Sequence, residues 1–217
     1  MKFDLSFAIE ILPALLRGAI VTAEATFGGM ALALLGGLVL ALGRRSKIPG
    51  LPRLSASYVL FMRNTPLLVQ IYFLFYVLPF AGITFGALTT GILALGLNYS
   101  AYIAEVYRAG IDGVPQGQWE AARALDFSPG QTWTRVILPQ ALPPMLPVLG
   151  NYLIGMFKDS PLLATITVSE MFAAAEHIAG ETYRYNEPYT LVGLIFLCLS
   201  YPASLAVRQL EKRFGKV

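Results

Sequence analysis

The 217-residue chain is 56% hydrophobic and 13% charged, with a mean hydropathy of +0.61 and a formal net charge of +3. A soluble domain carries about 25% charged residues, so the composition excludes an ordinary soluble protein and points to a membrane protein. The single cysteine, Cys198, excludes an intrachain disulfide and sits in an apolar run as a lipid- or core-facing residue.

Residues 1–18 are amphipathic, with Phe3, Phe7, Ile11 and Leu15 recurring every four residues. They predict a surface or entry helix that leads into the first span. Asp4 and Glu10 interrupt this start, and no cleavable signal peptide is expected. The first span is predicted over Ala19 to Leu42, with one charge, Glu24. Its small residues Ala25, Gly29, Ala33, Gly37 and Ala41 form a stripe that permits close helix contact, either within the chain or across a dimer. Arg44, Arg45, Lys47 and Arg53 follow without an acid among them, which places this loop in the cytoplasm and the N-terminus outside. A second span is predicted over Tyr58 to Phe80, with Arg63, Asn64 and Thr65 near its start, and residues 79–86 make an uncharged external turn. The third span, Ala87 to Arg108, is unusually polar: it carries Asn98, Tyr99, Ser100, Tyr102 and Glu105. Ionisable groups at such positions face a bundle interior or a watery path. Glu105 either serves such a path or pairs with Arg108 three residues on.

A polar loop at about 111–135 comes next. Trp119 to Leu125 reads as a short helix whose Ala121, Ala122 and Ala124 leave a close-packable surface, and Asp126 stands where it should stop. Ser128-Pro129-Gly130-Gln131 restarts a helix with a capping-box pattern. Three basic and four acidic residues between Glu105 and Arg135 give no positive-inside signal, so alternation alone assigns the loop to the cytoplasm. The fourth span begins near Val136 and carries Pro139, Pro143, Pro144 and Pro147, a kinked helix that serves as a lever arm or as static packing. Residues 158–187, with two basic and five acidic residues, form an external loop; Leu162 to Ala179 is expected to hold a short helix there. His177 beside Glu176 lacks a spaced partner and predicts a surface role, so no metal site is assigned. The last span, Tyr189 to Val207, ends in Arg208, Lys212, Arg213 and Lys216, a cytoplasmic basic tail. The expectation is an all-α polytopic membrane protein with about five transmembrane helices.

There is no G-x-x-x-x-G-K-[ST], H-E-x-x-H, G-x-S-x-G or Cys/His cluster. No catalytic residue, metal site or cofactor is therefore assigned to this chain, and any ATP-driven work needs another subunit. A secondary transporter or channel working without an ATPase is the alternative; it usually shows paired interrupted helices, and one such helix is visible here. An intramembrane enzyme lacks its nucleophile and base.

Glu120-Ala121-Ala122, followed at their spacing by Val136, Leu138 and Pro139, resembles the EAA signature of bacterial ABC importer membrane subunits. Asp126 stands where that family usually has Gly, and Val136 replaces Ile. Arg63-Asn64-Thr65-Pro66-Leu67-Leu68-Val69-Gln70, Tyr102 to Gly110 and Lys158-Asp159-Ser160 are similar to the polar amino acid branch. The resemblance implies a type I importer permease fold, residues 1–217 as a single transmembrane domain, and a coupling helix that docks on an ATP-binding subunit. Trp119, Glu120, Ala121, Ala122, Arg123, Leu125, Asp126 and Pro139 are its coupling residues. The implied partners are ABC ATP-binding subunits carrying ATP and Mg, a second permease subunit, an extracytoplasmic substrate-binding protein and the lipid bilayer of the bacterial inner membrane, with no nucleic acid. Arg63, Asn98, Glu105, Asp159 and Ser160 are the implied substrate-path residues, with structural salt bridges as their alternative. Gly117-Gln118-Trp119, Tyr183-Arg184-Tyr185 and the Phe73 to Pro79 run resemble the ectoine/hydroxyectoine subgroup.

Overall fold

The computed structural model describes residues 3–214; Lys216 of the basic tail lies outside them. Asp4 starts the first helix as an N-cap, accepting from the amides of Ser6 (3.0 Å) and Phe7 (3.3 Å). The Ser6 hydroxyl, the Phe7 amide and Arg184 together hold the Asp4 carboxyl down at about 2. From there α1 (Leu5–Arg44) runs unbroken for 40 residues, with Pro13 turned to the exposed side. The amphipathic start joins the first span without a break and makes up the first third of α1. At 1.5 Å per residue, α1 measures about 60 Å, twice the roughly 30 Å hydrocarbon core.

The small-residue stripe is buried inside the chain. Residues Ala25, Gly29, Ala33, Gly37 and Ala41 all face inward, and α4 (Ala87–Asp112) lies along them in the same direction. A Cβ on Gly29 would sit 3.0 Å from Leu95, and one on Gly37 would sit 2.7 Å from Ile103. Of the two packings the sequence allowed, the contact within the subunit is the one formed.

α2 (Leu51–Asn64) ends at Thr65-Pro66, because proline disfavours the helical region for the residue before it; Thr65 is extended at φ −111, ψ 138. α3 (Leu67–Tyr72), with a π turn over Phe73–Val77 and a 3-10 turn over Leu78–Ala81, continues at 107° to α2. The second span predicted over Tyr58 to Phe80 is thus a broken one. Side chains satisfy the carbonyls freed by the break: Asn64 donates to Leu60 O (2.7 Å), Thr65 to Phe61 O (2.9 Å), and Gln70 to Met62 O (3.0 Å). Asn98 on α4 adds a bond to Gln70 Oε1 at 3.1 Å. Irregular backbone at membrane depth needs such internal partners.

A loop containing α5 (Gln116–Ala124) and the short turn α6 (Pro129–Gln131) passes through a π turn, Thr132–Ile137, into α7 (Leu138–Asp159). α7 stays helical through Pro143, Pro144 and Pro147 and runs antiparallel to α4. The segment after α7 holds a 3-10 segment, Ser160–Ile166, and α8 (Met171–Thr182), so the short helix expected over Leu162 to Ala179 starts later and ends later. His177 pairs with Glu181 at 3.5 Å on the exposed face of α8. α9 (Asn186–Phe214) returns beside α7. Among the described residues three helices are long and apolar enough to cross a bilayer, and the count reaches five if each of two bent pairs is one span. No strand occurs among the described residues.

The outer half of α1 is fixed by α8 and α9. Ile11 and Leu15 pack with Met171, Ala175 and Val192. Glu170, fully buried, is the N-cap of α8: it accepts from the amides of Phe172 (2.9 Å) and Ala173 (2.7 Å) and from the Thr22 hydroxyl (3.3 Å). Thr22 Oγ1 in turn accepts from the Met171 amide at 3.2 Å. Glu170→Ala strips three donors of their acceptor in a dry place, an expected loss of about 1–3 kcal/mol. Thermal unfolding of the detergent-solubilised protein checks it; a midpoint equal to that of the parent would refute the buried cap.

Candidate functional site

Two regions hold the candidate residues. The first is the tip of the α5 loop. α5 begins after Pro115, three residues earlier than the predicted Trp119, and ends with Leu125 as C-cap. Asp126 takes the left-handed conformation, φ 55, which lets Phe127 N donate back to Ala122 O at 3.1 Å. Asp is one of the few residues besides Gly that enter this region, so its presence in the usual Gly position leaves the turn intact. Ser128 and Gln131 then form the predicted capping box: Gln131 N donates to Ser128 Oγ at 3.3 Å and Ser128 N to Gln131 Oε1 at 3.0 Å. Trp119 meets Trp133 edge to face at 5.3 Å and clamps the two arms together.

Burial divides the predicted coupling residues. Ala122 is buried and Trp119 half-buried, and Trp119 anchors the loop on Ile111, Val114 and Ile137. Glu120, Ala121, Arg123, Leu125 and Asp126 are exposed. Leu125 is 68% exposed at the tip, an apolar side chain with nothing to cover it. Pro139 is not part of the tip; it lies in the first turn of α7.

The second region is a polar chamber of about 590 Å³ where the α2–α3 break faces α4 and α7. Arg63 and Asp159 both line it, with Tyr99, Tyr102, Asn151 and Tyr152. The Arg63 guanidinium lies 5.4 Å from the centre of the Tyr102 ring, and Asp159 accepts a 2.7 Å bond from the Tyr99 hydroxyl. Among the described residues neither Arg63 nor Asp159 makes an ion pair.

Of the other three path candidates, Asn98 lines the same chamber, and Glu105 and Ser160 do not. Asn98 is buried and its amide is spent on Gln70 and Met62 O, holding the break. Glu105 faces the next chambers inward, but its carboxylate is bonded to Arg44 and to Arg108 (2.8 Å). The pairing with Arg108 is thus formed, with a second arginine that the local sequence could not supply. Ser160 is fully buried and donates to Phe157 O at 2.9 Å, outside the chamber lining. Its hydroxyl is satisfied by the preceding turn. Tyr99 and Tyr152, which sequence reasoning did not select, enter because antiparallel α4 and α7 bring residues some fifty positions apart face to face; the only advance signal was the density of hydroxyls on the third span.

Comparison with known proteins gives the family and the fold. The model of the family described as binding-protein-dependent transport system inner membrane component matches residues 33–216. A probable amino-acid ABC transporter permease protein, y4tG of Sinorhizobium fredii (strain NBRC 101917 / NGR234), is 47% identical over 213 residues, covering 98% of this chain and 92% of the relative. The probable amino-acid ABC transporter permease protein YckA of Bacillus subtilis (strain 168) is 37% identical, with 98% and 94% covered. A chain from the crystal structure of an amino acid ABC transporter with histidines superposes with a TM-score of 0.91 at 36% identity, covering 98% of this chain and 100% of that one. The fold is that of a type I ABC importer permease. The chain belongs to the family of inner membrane components of binding-protein-dependent transport systems.

Proposed function

We propose that the chain is the membrane-spanning permease subunit of an ATP-driven importer of polar amino acids. One observation carries the substrate class: Arg63 and Asp159, a cation and an anion free of ion pairs, line the same chamber. A zwitterion needs one partner of each sign, and a chamber of about 590 Å³ has the size of a small-ligand site. The names of the relatives, amino-acid permeases, support the same reading. In this reading residues 1–217 form one transmembrane domain in the inner membrane, with the N-terminus outside and the C-terminus in the cytoplasm.

The exposed tip at Glu120 to Asp126 docks into a cleft of a partner ATP-binding subunit, which holds the ATP and Mg. Closure of the ATPase pair moves the tip, and α7, which follows it through a π turn, passes the motion to the chamber. A second permease subunit covers the chamber's open side, and an external binding protein delivers the solute. Ectoine, suggested by short stretches of sequence alone, is a zwitterion of the same class and enters as one arm of the test.

That test is substrate-stimulated ATP hydrolysis in proteoliposomes holding this permease with its ATPase, partner permease and binding protein. Glutamine, arginine, histidine, cystine and ectoine are compared. Stimulation by a polar amino acid of at least about tenfold over the ligand-free rate, lost in Arg63→Ala, is the expected result. Solute accumulation that proceeds without ATP would instead identify a secondary transporter.

A further inference from the structure

We propose that Tyr102 is the inner gate of the solute path, the side chain that separates the chamber from the cytoplasmic side. The proposal rests on the path assigned above and adds to it a residue and a role. Three clefts adjoin one another along α4, two of them between α4 and α7. The outermost is the Arg63/Asp159 chamber. A second, of about 590 Å³, lies between the ends of α1, α2 and α4 and reaches Arg44 and Glu105. A third, of about 650 Å³, continues inward past Glu105 to Gly113, Pro115 and Gln140, beside the α5 loop. Tyr102 is the one residue that lines all three. Its ring is the wall that they share.

The ring is held from three sides. Arg63 lies over it at 5.4 Å, the Tyr152 ring stands 5.7 Å away, and the Tyr99 ring 6.0 Å away. Tyr152 lines the outer and inner clefts but not the middle one, so Tyr102 and Tyr152 form the septum together, with Tyr102 on the more polar side. Among the described residues the Tyr102 hydroxyl makes no hydrogen bond, whereas Tyr99 next to it bonds Asp159. The plane of the ring, not its hydroxyl, does the blocking. Tyr102 is only half-buried, so its side chain has room to swing.

The hold on the ring is also sensitive to the solute. A carboxylate that reaches Arg63 competes for the guanidinium now lying over the ring, because a charge-assisted bond is stronger than a cation–π contact. Solute arrival in the outer chamber therefore loosens the inner wall. This couples occupancy to inward release through a single arginine.

The test reads accessibility, not transport. In the assembled importer, with Cys198→Ser and cysteine-free partners, Leu67→Cys places a thiol on the wall of the outer chamber, away from the Tyr102 ring. The membrane-impermeant reagent 2-sulfonatoethyl methanethiosulfonate is added to ATP-free inside-out vesicles from the face that carries the Glu120 loop. With Tyr102 present the thiol is expected to react slowly. Loss of the ring and its contacts in Tyr102→Ala is expected to raise the rate about tenfold, and Tyr102→Phe, which keeps the ring, to leave it unchanged. Equal rates in Tyr102 and Tyr102→Ala vesicles overturn the gate, as does a Tyr102→Phe variant that behaves like Tyr102→Ala. Protection of the thiol by the stimulating amino acid is read separately. Protection without a Tyr102→Ala effect leaves the solute chamber standing and removes the gate; the reverse pattern leaves the gate and removes the solute.

Discussion

Glu120→Arg is expected to abolish ATP-driven uptake while the permease itself stays folded and in the membrane. Inside the chain Glu120 is exposed and accepts a single bond, from Gln116 Nε2 at 2.9 Å, so the exchange disturbs nothing that holds the loop. Surface changes of that kind stay within about 0.5 kcal/mol of the parent. The effect arises on docking, where a reversed charge at the centre of a contact turns an attraction into a repulsion of several kcal/mol. Co-purification of the ATPase subunit should fall at least about tenfold, and uptake with it. Retention of both at parental levels would remove the coupling role from this loop. The neighbouring Ala122 serves as a contrast: it is 2% exposed, so a large residue there damages the loop before it reaches any partner.

Gly18→Leu is expected to prevent assembly of the outer half of the molecule. A Cβ at Gly18 would lie 2.7 Å from Met171 Cα, 2.9 Å from Met171 N and 3.0 Å from Glu170 C. These are backbone atoms of a neighbouring element, not the end of a side chain that can turn aside. Even Gly18→Ala must push α8 away from α1, at an expected cost of about 1–3 kcal/mol. The displacement also pulls Glu170 and Met171 from Thr22, bonded at 3.3 and 3.2 Å, so the larger residue loses the buried cap as well. Gly180→Ala, in a helix with open space around it, is the control and should gain about 0.5–1 kcal/mol. Thermal unfolding in detergent ranks the three; a Gly18→Ala midpoint at or above that of Gly180→Ala would contradict this account of the contact.

Features written in short stretches of chain were legible before the fold was known. Asp126 as a left-handed stop, the Ser128–Gln131 capping box and the buried stripe on α1 all follow from neighbours within a few residues, and all are formed. The break at Thr65-Pro66 carried a local signal too, the residue before proline, but the apolar length from Leu67 to Leu78 outweighed it in reading a single span. Pro13 does not interrupt α1, since it faces the exposed side. What could not be read were pairings made by topology. Glu170 with Thr22, Asp159 with Tyr99 and Arg44 with Glu105 join positions 148, 60 and 61 residues apart. Of the solute-path residues, Arg63, Asn98 and Asp159 line the chamber, with the Asn98 amide engaged by Gln70, while Glu105 and Ser160 lie outside its lining, held by an ion pair and a local bond.

The Asp4 amide donates to Glu187 across 183 positions, and the outer half of α1 packs on residues that begin at Glu170. Synthesis proceeds from the N-terminus, so the first helix to leave the ribosome waits for nearly the last segment before its outer face is covered. Until then Gly18, Thr22 and Leu15 present a groove with no occupant. A chain cut short before residue 170 keeps α1 and its α4 contacts yet never closes that groove.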